Sequence, residues 1–157
     1  MRNFASLSLV FLLLALIPSV SPAQCVYHTI SVSRVEGTVS DPNGQPIPNV
    51  KVELKRDNER IAAATTNEQG RFSIQAPPGK YELRATSQSF APGHAYIGLG
   101  SDLVTLFRSS HLWMILTPGV AIDQCTFVTT SRKKFENAVQ RHKQEIEEFN
   151  KNNVTQK

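Results

Sequence analysis

The stretch VEGTVSDPNGQPIPNVKVEL, residues 35–54, decides the fold. Val35, Gly37 and Val39 alternate with polar neighbours, and Val50, Val52 and Leu54 alternate with Lys51, Glu53 and Lys55. A period of two sends one set of side chains into a core and the other into water, as in a half-buried antiparallel strand. Between the two runs, Asp41-Pro42-Asn43-Gly44 is a turn: proline presets φ, and Asn-Gly tolerates positive φ. Pro46 and Pro48 bracket Ile47 in an extended stretch that cannot join a central ladder.

The same alternation continues downstream. Residues 61–66 read as a short Ala-rich strand, and Asn67-Glu68-Gln69-Gly70 turns the chain. Phe72 and Ile74 alternate with Arg71, Ser73 and Gln75, Ala76-Pro77-Pro78-Gly79 turns again, and Tyr81, Leu83 and Ala85 alternate with Lys80, Glu82 and Arg84. Short strands at this spacing predict an all-β sandwich. Further strands are expected at 94–100, 103–107, 112–116 and 120–129. Residues 112–116, LWMIL, are apolar at every position, so that strand needs cover on both faces.

From Ser131 the pattern changes to a helical stripe of Phe135, Ala138, Val139, His142, Ile146 and Phe149, with charges between. Thr130 or Ser131 is the expected N-cap. The helix has three readings: packing over Trp113 and Ile115, docking a partner through its stripe, or lying on an anionic membrane. Glu136, Glu145, Glu147 and Glu148 oppose the third.

At the N-terminus, Arg2 precedes an apolar run at 7–17 that ends at Pro18, and Ser21-Pro22-Ala23 has the small residues of a cleavage site. Residues 1–23 read as a signal peptide, which implies a secreted or periplasmic chain with no membrane span after cleavage. The run is shorter than the ~20 residues of a comfortable span. A retained anchor and a lipoprotein at Cys25 are the alternatives; against the latter, Gln24 stands where a small residue is normal. Cys25 and Cys125, an even pair in an exported chain, are expected to form a disulfide.

Of the 157 residues, 40% are hydrophobic and 19% charged, the balance of a globular chain rather than a disordered one. The net charge of +4 is small, and no RNP run, finger or aromatic-rich basic groove points to nucleic acid.

Three blocks in order, VEGTVSDPNGQPIPNVKVEL, TTNEQGRFSI (65–74) and PPGKYELRATSQSFAP (77–92), resemble the carboxypeptidase regulatory-like domain family. The resemblance implies an all-β, Greek-key, seven-stranded, prealbumin-like sandwich over residues 24–130, with the C-terminal helix and polar tail at 131–157 added to it. Every matched position is also a core or turn residue, so it implies a fold more than a site.

Catalytic chemistry is thinly represented. His142 and Glu145 have the HxxE spacing of two zinc ligands, but no histidine follows to complete a set. The transthyretin-like hydrolases end in Tyr-Arg-Gly-Ser, whereas this chain ends Asn153-Val154-Thr155-Gln156-Lys157. No catalytic residue, metal or cofactor is expected. The expected function is an exported binding or structural module with an unidentified protein or glycan partner. Phe135, Val139, His142, Ile146 and Phe149 are the docking candidates for a protein, and Tyr96, flanked by Gly93 and Gly98, is the candidate contact for a carbohydrate. A small hydrolase is the remaining alternative.

Overall fold

The computed structural model describes residues 28–100, 111–119 and 126–154. The signal segment, both cysteines, the strand expected at 103–107 and residues 120–125 of the strand expected at 120–129 lie outside them, as does the side chain of Phe149.

The described strands are β1 (Ile30–Val32), β2 (Val35–Ser40), β3 (Lys51–Arg56), β4 (Glu59–Thr65), β5 (Arg71–Ile74), β6 (Gly79–Thr86), β7 (Gly93–Leu99), β8 (His111–Ile115) and β9 (Phe127–Thr129). One helix, α1 (Arg132–Val154), follows. The strands form a five-stranded sheet, β1-β7-β6-β3-β4, and a four-stranded sheet, β5-β2-β8-β9. Pairs remote in sequence, β2 with β5 and β8 and β3 with β6, close the Greek-key path. The expected sandwich with a C-terminal helix is what the chain forms, with nine strands among the described residues where the resemblance implies seven. Strand β1 escapes a sequence reading because Ile30-Ser31-Val32 is too short to show alternation. It pairs parallel to β7 and covers that edge.

The alternation works as the sequence dictates. Val52, Leu54, Leu83, Ala85 and Ile97 of the first sheet meet Val35, Val39, Phe72, Leu112 and Met114 of the second in one core. Leu54, Leu83 and Ile97 are fully buried, each contributing about 1.5–3 kcal/mol by removal from water.

Two turns repeat one device. Asp41 Oδ1 accepts from the amides of Asn43 (2.9 Å) and Gln45 (2.8 Å), and Asn67 Oδ1 accepts from those of Gln69 and Arg71 (both 3.0 Å). Beside them the buried Thr66 hydroxyl donates to the Ile47 carbonyl (2.8 Å) and accepts from the Val50 amide (2.9 Å). Those bonds satisfy the polar groups that the proline-bracketed stretch cannot place in a ladder. The β3–β4 hairpin turns on Asp57 and Asn58, both at positive φ, the two-residue geometry that matches strand twist. In β4 the register shifts beside Leu54, leaving Ile61 as the extra residue. Such a bulge guards an edge strand against pairing with another chain.

Strand β2 sits between β5 and β8, and Gly37 is where they crowd. A Cβ there would collide with the Leu112 carbonyl oxygen and come within 2.9 Å of Phe72 Cε1. Gly37→Ala is expected to lower stability by about 1–3 kcal/mol in urea unfolding. A neutral result would show that β2 and β8 can separate at no cost.

Candidate binding site

Helix α1 begins where Ser131 Oγ accepts from the Lys134 amide (3.4 Å) and the Ser131 carbonyl from the Phe135 amide (3.1 Å). Its first turns lie on the outer face of the second sheet. Phe135 stacks on Trp113, with ring centroids 4.9 Å apart, and Ala138 and Val139 bury Ile115 together with Phe127. Val139 also packs on the Asp41 turn, where a Cβ on Gly44 would lie 3.1 Å from Val139 Cγ1. The alternation of β8 is thereby satisfied: Leu112 and Met114 face the core, Trp113 and Ile115 the helix.

Two hollows flank the helix. The first is a groove of about 580 Å3 between α1 and the end of the sandwich, within the usual range for ligand sites. Phe90, Ile115, Pro118, Phe127 and Ile146 form its apolar lining, while Asp41, Asn43, Thr117, His142 and Glu145 form the polar part. The Phe90–Pro118 wall is fixed by backbone bonds from Ala91 to Thr117 (2.9 Å) and from Gly119 to Ser89 (3.1 Å). Asp41 and Glu145 bring two carboxylates to the groove, and among the described residues no Lys or Arg lines it.

The second hollow, about 680 Å3, is polar, with Glu36, Asn67, Arg71, Ser73, His111, Trp113 and Arg132 among its lining. Here Thr38 Oγ1 lies 2.9 Å from His111 Nε2, and the His111 ring tilts against Trp113 at 4.5 Å. Burial pushes the His111 pKa down, Glu36 opposite it in the ladder pulls the other way, and Arg71 adds to the lowering.

The sequence candidates separate onto different surfaces. Phe135 and Val139 are spent on holding the helix. His142 and Ile146 line the apolar groove, and Ile146 is 44% exposed. His142 Nδ1 lies 3.4 Å from Glu145 Oε2; among the described residues no three His, Cys, Asp or Glu gather as metal ligands. Tyr96 stands on the other sheet, 49% exposed. Phe90, Pro118 and Asp41 were missed as groove residues. Phe90, a lone large apolar residue within Ser87-Gln88-Ser89-Phe90-Ala91-Pro92, was the available signal.

Residues 34–105 match the family model of the carboxypeptidase regulatory-like domain. Among solved structures, the chain is similar to 5-hydroxyisourate hydrolase of Klebsiella pneumoniae, at 24% identity over 62% of this chain and 97% of that one, with a TM-score of 0.45. It is also similar to catechol 1,2-dioxygenase of Acinetobacter sp. ADP1, at 12% identity over 77% and 69% of the two chains, with a TM-score of 0.34.

Because the folded state disfavours protonated His111, the unfolded chain takes up that proton first as pH falls below the imidazole's ordinary 6.5. Stability is expected to be fully held above that pH and to decline below it. His111→Gln should remove that part of the decline in urea unfolding between about pH 7.5 and 5. Equal pH slopes for the two proteins would show that His111 is free to charge in the fold.

Proposed function

We propose, for a chain that carries a carboxypeptidase regulatory-like domain, an exported, non-catalytic module that binds a protein segment in the groove beside α1. The observation that carries this reading is Ile146. From Gln140 to Glu148 every residue but the half-buried His142 is exposed, so the helix runs on past its own sheet with its apolar stripe facing a groove lined by Phe90, Pro118 and Phe127. The partner is a short extended segment with an apolar side chain next to a Lys or Arg. The apolar group would fill the groove and the cation would meet Asp41 and Glu145.

Export follows from the N-terminal signal pattern, and in the mature chain Cys25 and Cys125 would be oxidised. The chain recovered after export should start at Gln24 and weigh two hydrogens less than its reduced form. Reduction should cost about 2–4 kcal/mol in urea unfolding. Two alkylatable thiols in the native exported chain would overturn the cross-link.

For the groove, residues 24–157 would be panned against a displayed peptide library, with counter-selection on Ile146→Glu. The expected outcome is enriched peptides that pair an apolar residue with Lys or Arg and bind Ile146→Glu and Glu145→Lys about tenfold or more weakly. Peptides that bind the wild type and Ile146→Glu equally, or no enrichment, would overturn the protein-docking reading.

A further inference from the structure

Beside the start of α1, the polar hollow of about 680 Å3 is untouched by the groove reading, and the two linings share no residue. Ladder registers lay out its floor. Ser73, Glu36 and His111 form one row across β5, β2 and β8, and Arg71, Thr38 and Trp113 form the next. These residues alternate with Val35, Val39, Phe72, Ile74, Leu112 and Met114, which enter the core, so both rows face outward. Asn67, in the turn before β5, and Arg132, the first residue of α1, add to the lining.

The lining is rich in donors and short of free acceptors. Arg71 is exposed and enters no ion pair among the described residues. Arg132 holds Glu136 through Nε at 2.8 Å, and a guanidinium has further N–H donors to give. Asn67 spends Oδ1 on the amides of Gln69 and Arg71, which leaves its side-chain NH2 as a donor. Thr38 Oγ1 lies 2.9 Å from His111 Nε2; where that hydroxyl donates, the neutral ring keeps its own N–H on Nδ1. Among the described residues Glu36 is the one carboxylate of the lining, and it has an interaction of its own.

Two guanidinium groups among amide, hydroxyl and imidazole donors suit a tetrahedral oxyanion, which takes several bonds from different directions. The volume exceeds what a bare phosphate or sulfate fills and lies in the range of small-molecule sites, so room remains for the molecule that carries the group. That molecule is polar. Trp113 is already stacked on Phe135 and against the tilted His111 ring, so its stacking is spent, while Asn67, Ser73 and Thr65 line the rest with hydrogen-bonding groups.

We propose that this hollow binds a small phosphate or sulfate monoester, with the oxyanion held by Arg71, Arg132 and His111 and the polar body lying toward Asn67 and Ser73. Binding is linked to a proton. Burial keeps His111 neutral; Glu36 on β2 favours its charged form and Arg71 on β5 opposes it, and Arg132 is the cation that α1 brings to the lining. An anion seated here offsets both guanidinium charges and favours the charged imidazole. The site therefore takes up a proton with its ligand below the imidazole's ordinary 6.5, and affinity rises as pH falls. A sulfate ester keeps its charge through this range, so its pH dependence reports His111, whereas a phosphate ester loses charge near pH 6.

The test is calorimetric titration of residues 24–157 with glucose 6-phosphate, glucose 6-sulfate, inorganic phosphate and glucose, at about 0.05 M salt and at about pH 7.5 and 5.5. The expected result is saturable binding of both esters, weaker binding of inorganic phosphate and none of glucose. Arg71→Gln should weaken the esters about tenfold, and Lys80→Gln on the opposite sheet should change nothing. Glucose 6-sulfate should bind more tightly at the lower pH in the wild type and equally at both in His111→Gln. Arg132→Gln, at an exposed position, gives a second reading should Arg71→Gln alter the fold by circular dichroism. No binding of either ester, binding indifferent to Arg71→Gln and Arg132→Gln, inorganic phosphate bound as tightly as the esters, or glucose 6-sulfate affinity independent of pH would each overturn the proposal. None of these outcomes bears on Ile146 and the groove.

Discussion

Strand β8 has no face that can be left to water, and much of the molecule answers to that constraint. Leu112 and Met114 enter the sandwich core, which leaves Trp113 and Ile115 pointing outward. A four-stranded sheet alone would expose both. Helix α1 covers them with Phe135, Ala138 and Val139, and its position creates the two hollows. The cover is local: Thr38, Ser73 and Arg71 on neighbouring strands are polar and need none. The outer face is therefore divided between an apolar part under the helix and a polar part beside it.

The first sheet solves the opposite problem. Its outer face is charged along β3 and β6, and like charges directly opposite one another would weaken it. Between β3 and β6 the ladder sets Glu53 opposite Arg84 and Lys55 opposite Glu82; between β3 and β4 it sets Lys55 opposite Arg60, whose guanidinium turns to Glu53 instead. Lys51 and Arg60 reach Glu53 from its own strand and from β4. Lys55, Lys80 and Arg84 are left without an ion pair among the described residues, since the face has too few carboxylates for its cations. Exposed ion pairs contribute little to folding, about 0–1 kcal/mol each, so this charge pattern is under weak demand from stability.

The sandwich was legible because its evidence is local. Alternation at Val50, Val52 and Leu54 and turn residues such as Asn43-Gly44 read correctly without knowledge of what pairs with what. The apolar run of β8 and the stripe from Phe135 together told that a helix covers a strand, because each leaves a demand that the other meets. Three things were not legible. Strand β1 is three residues long and is stabilised by its parallel partner β7, a tertiary effect. The groove joins Asp41, Phe90, Pro118 and Ile146, four segments whose proximity only the fold creates. That Arg84 has no partner among the described residues depends on which cation reaches each carboxylate, and spacing along a strand cannot show that.

The two candidate sites lie on either side of α1, and this separation has a physical consequence. One is a shallow apolar groove with an acidic rim, where affinity would come from burial together with a salt-screened contact to Asp41 and Glu145. The other is a polar hollow with two guanidinium groups, where affinity would come from ion contacts and fall as salt rises. Between them the first turns of α1 are fixed by Phe135 on Trp113 and by Ala138 and Val139 on Ile115, a packed seam that leaves little freedom for one site to reshape the other. Occupancy of one site would then leave the affinity of the other unchanged.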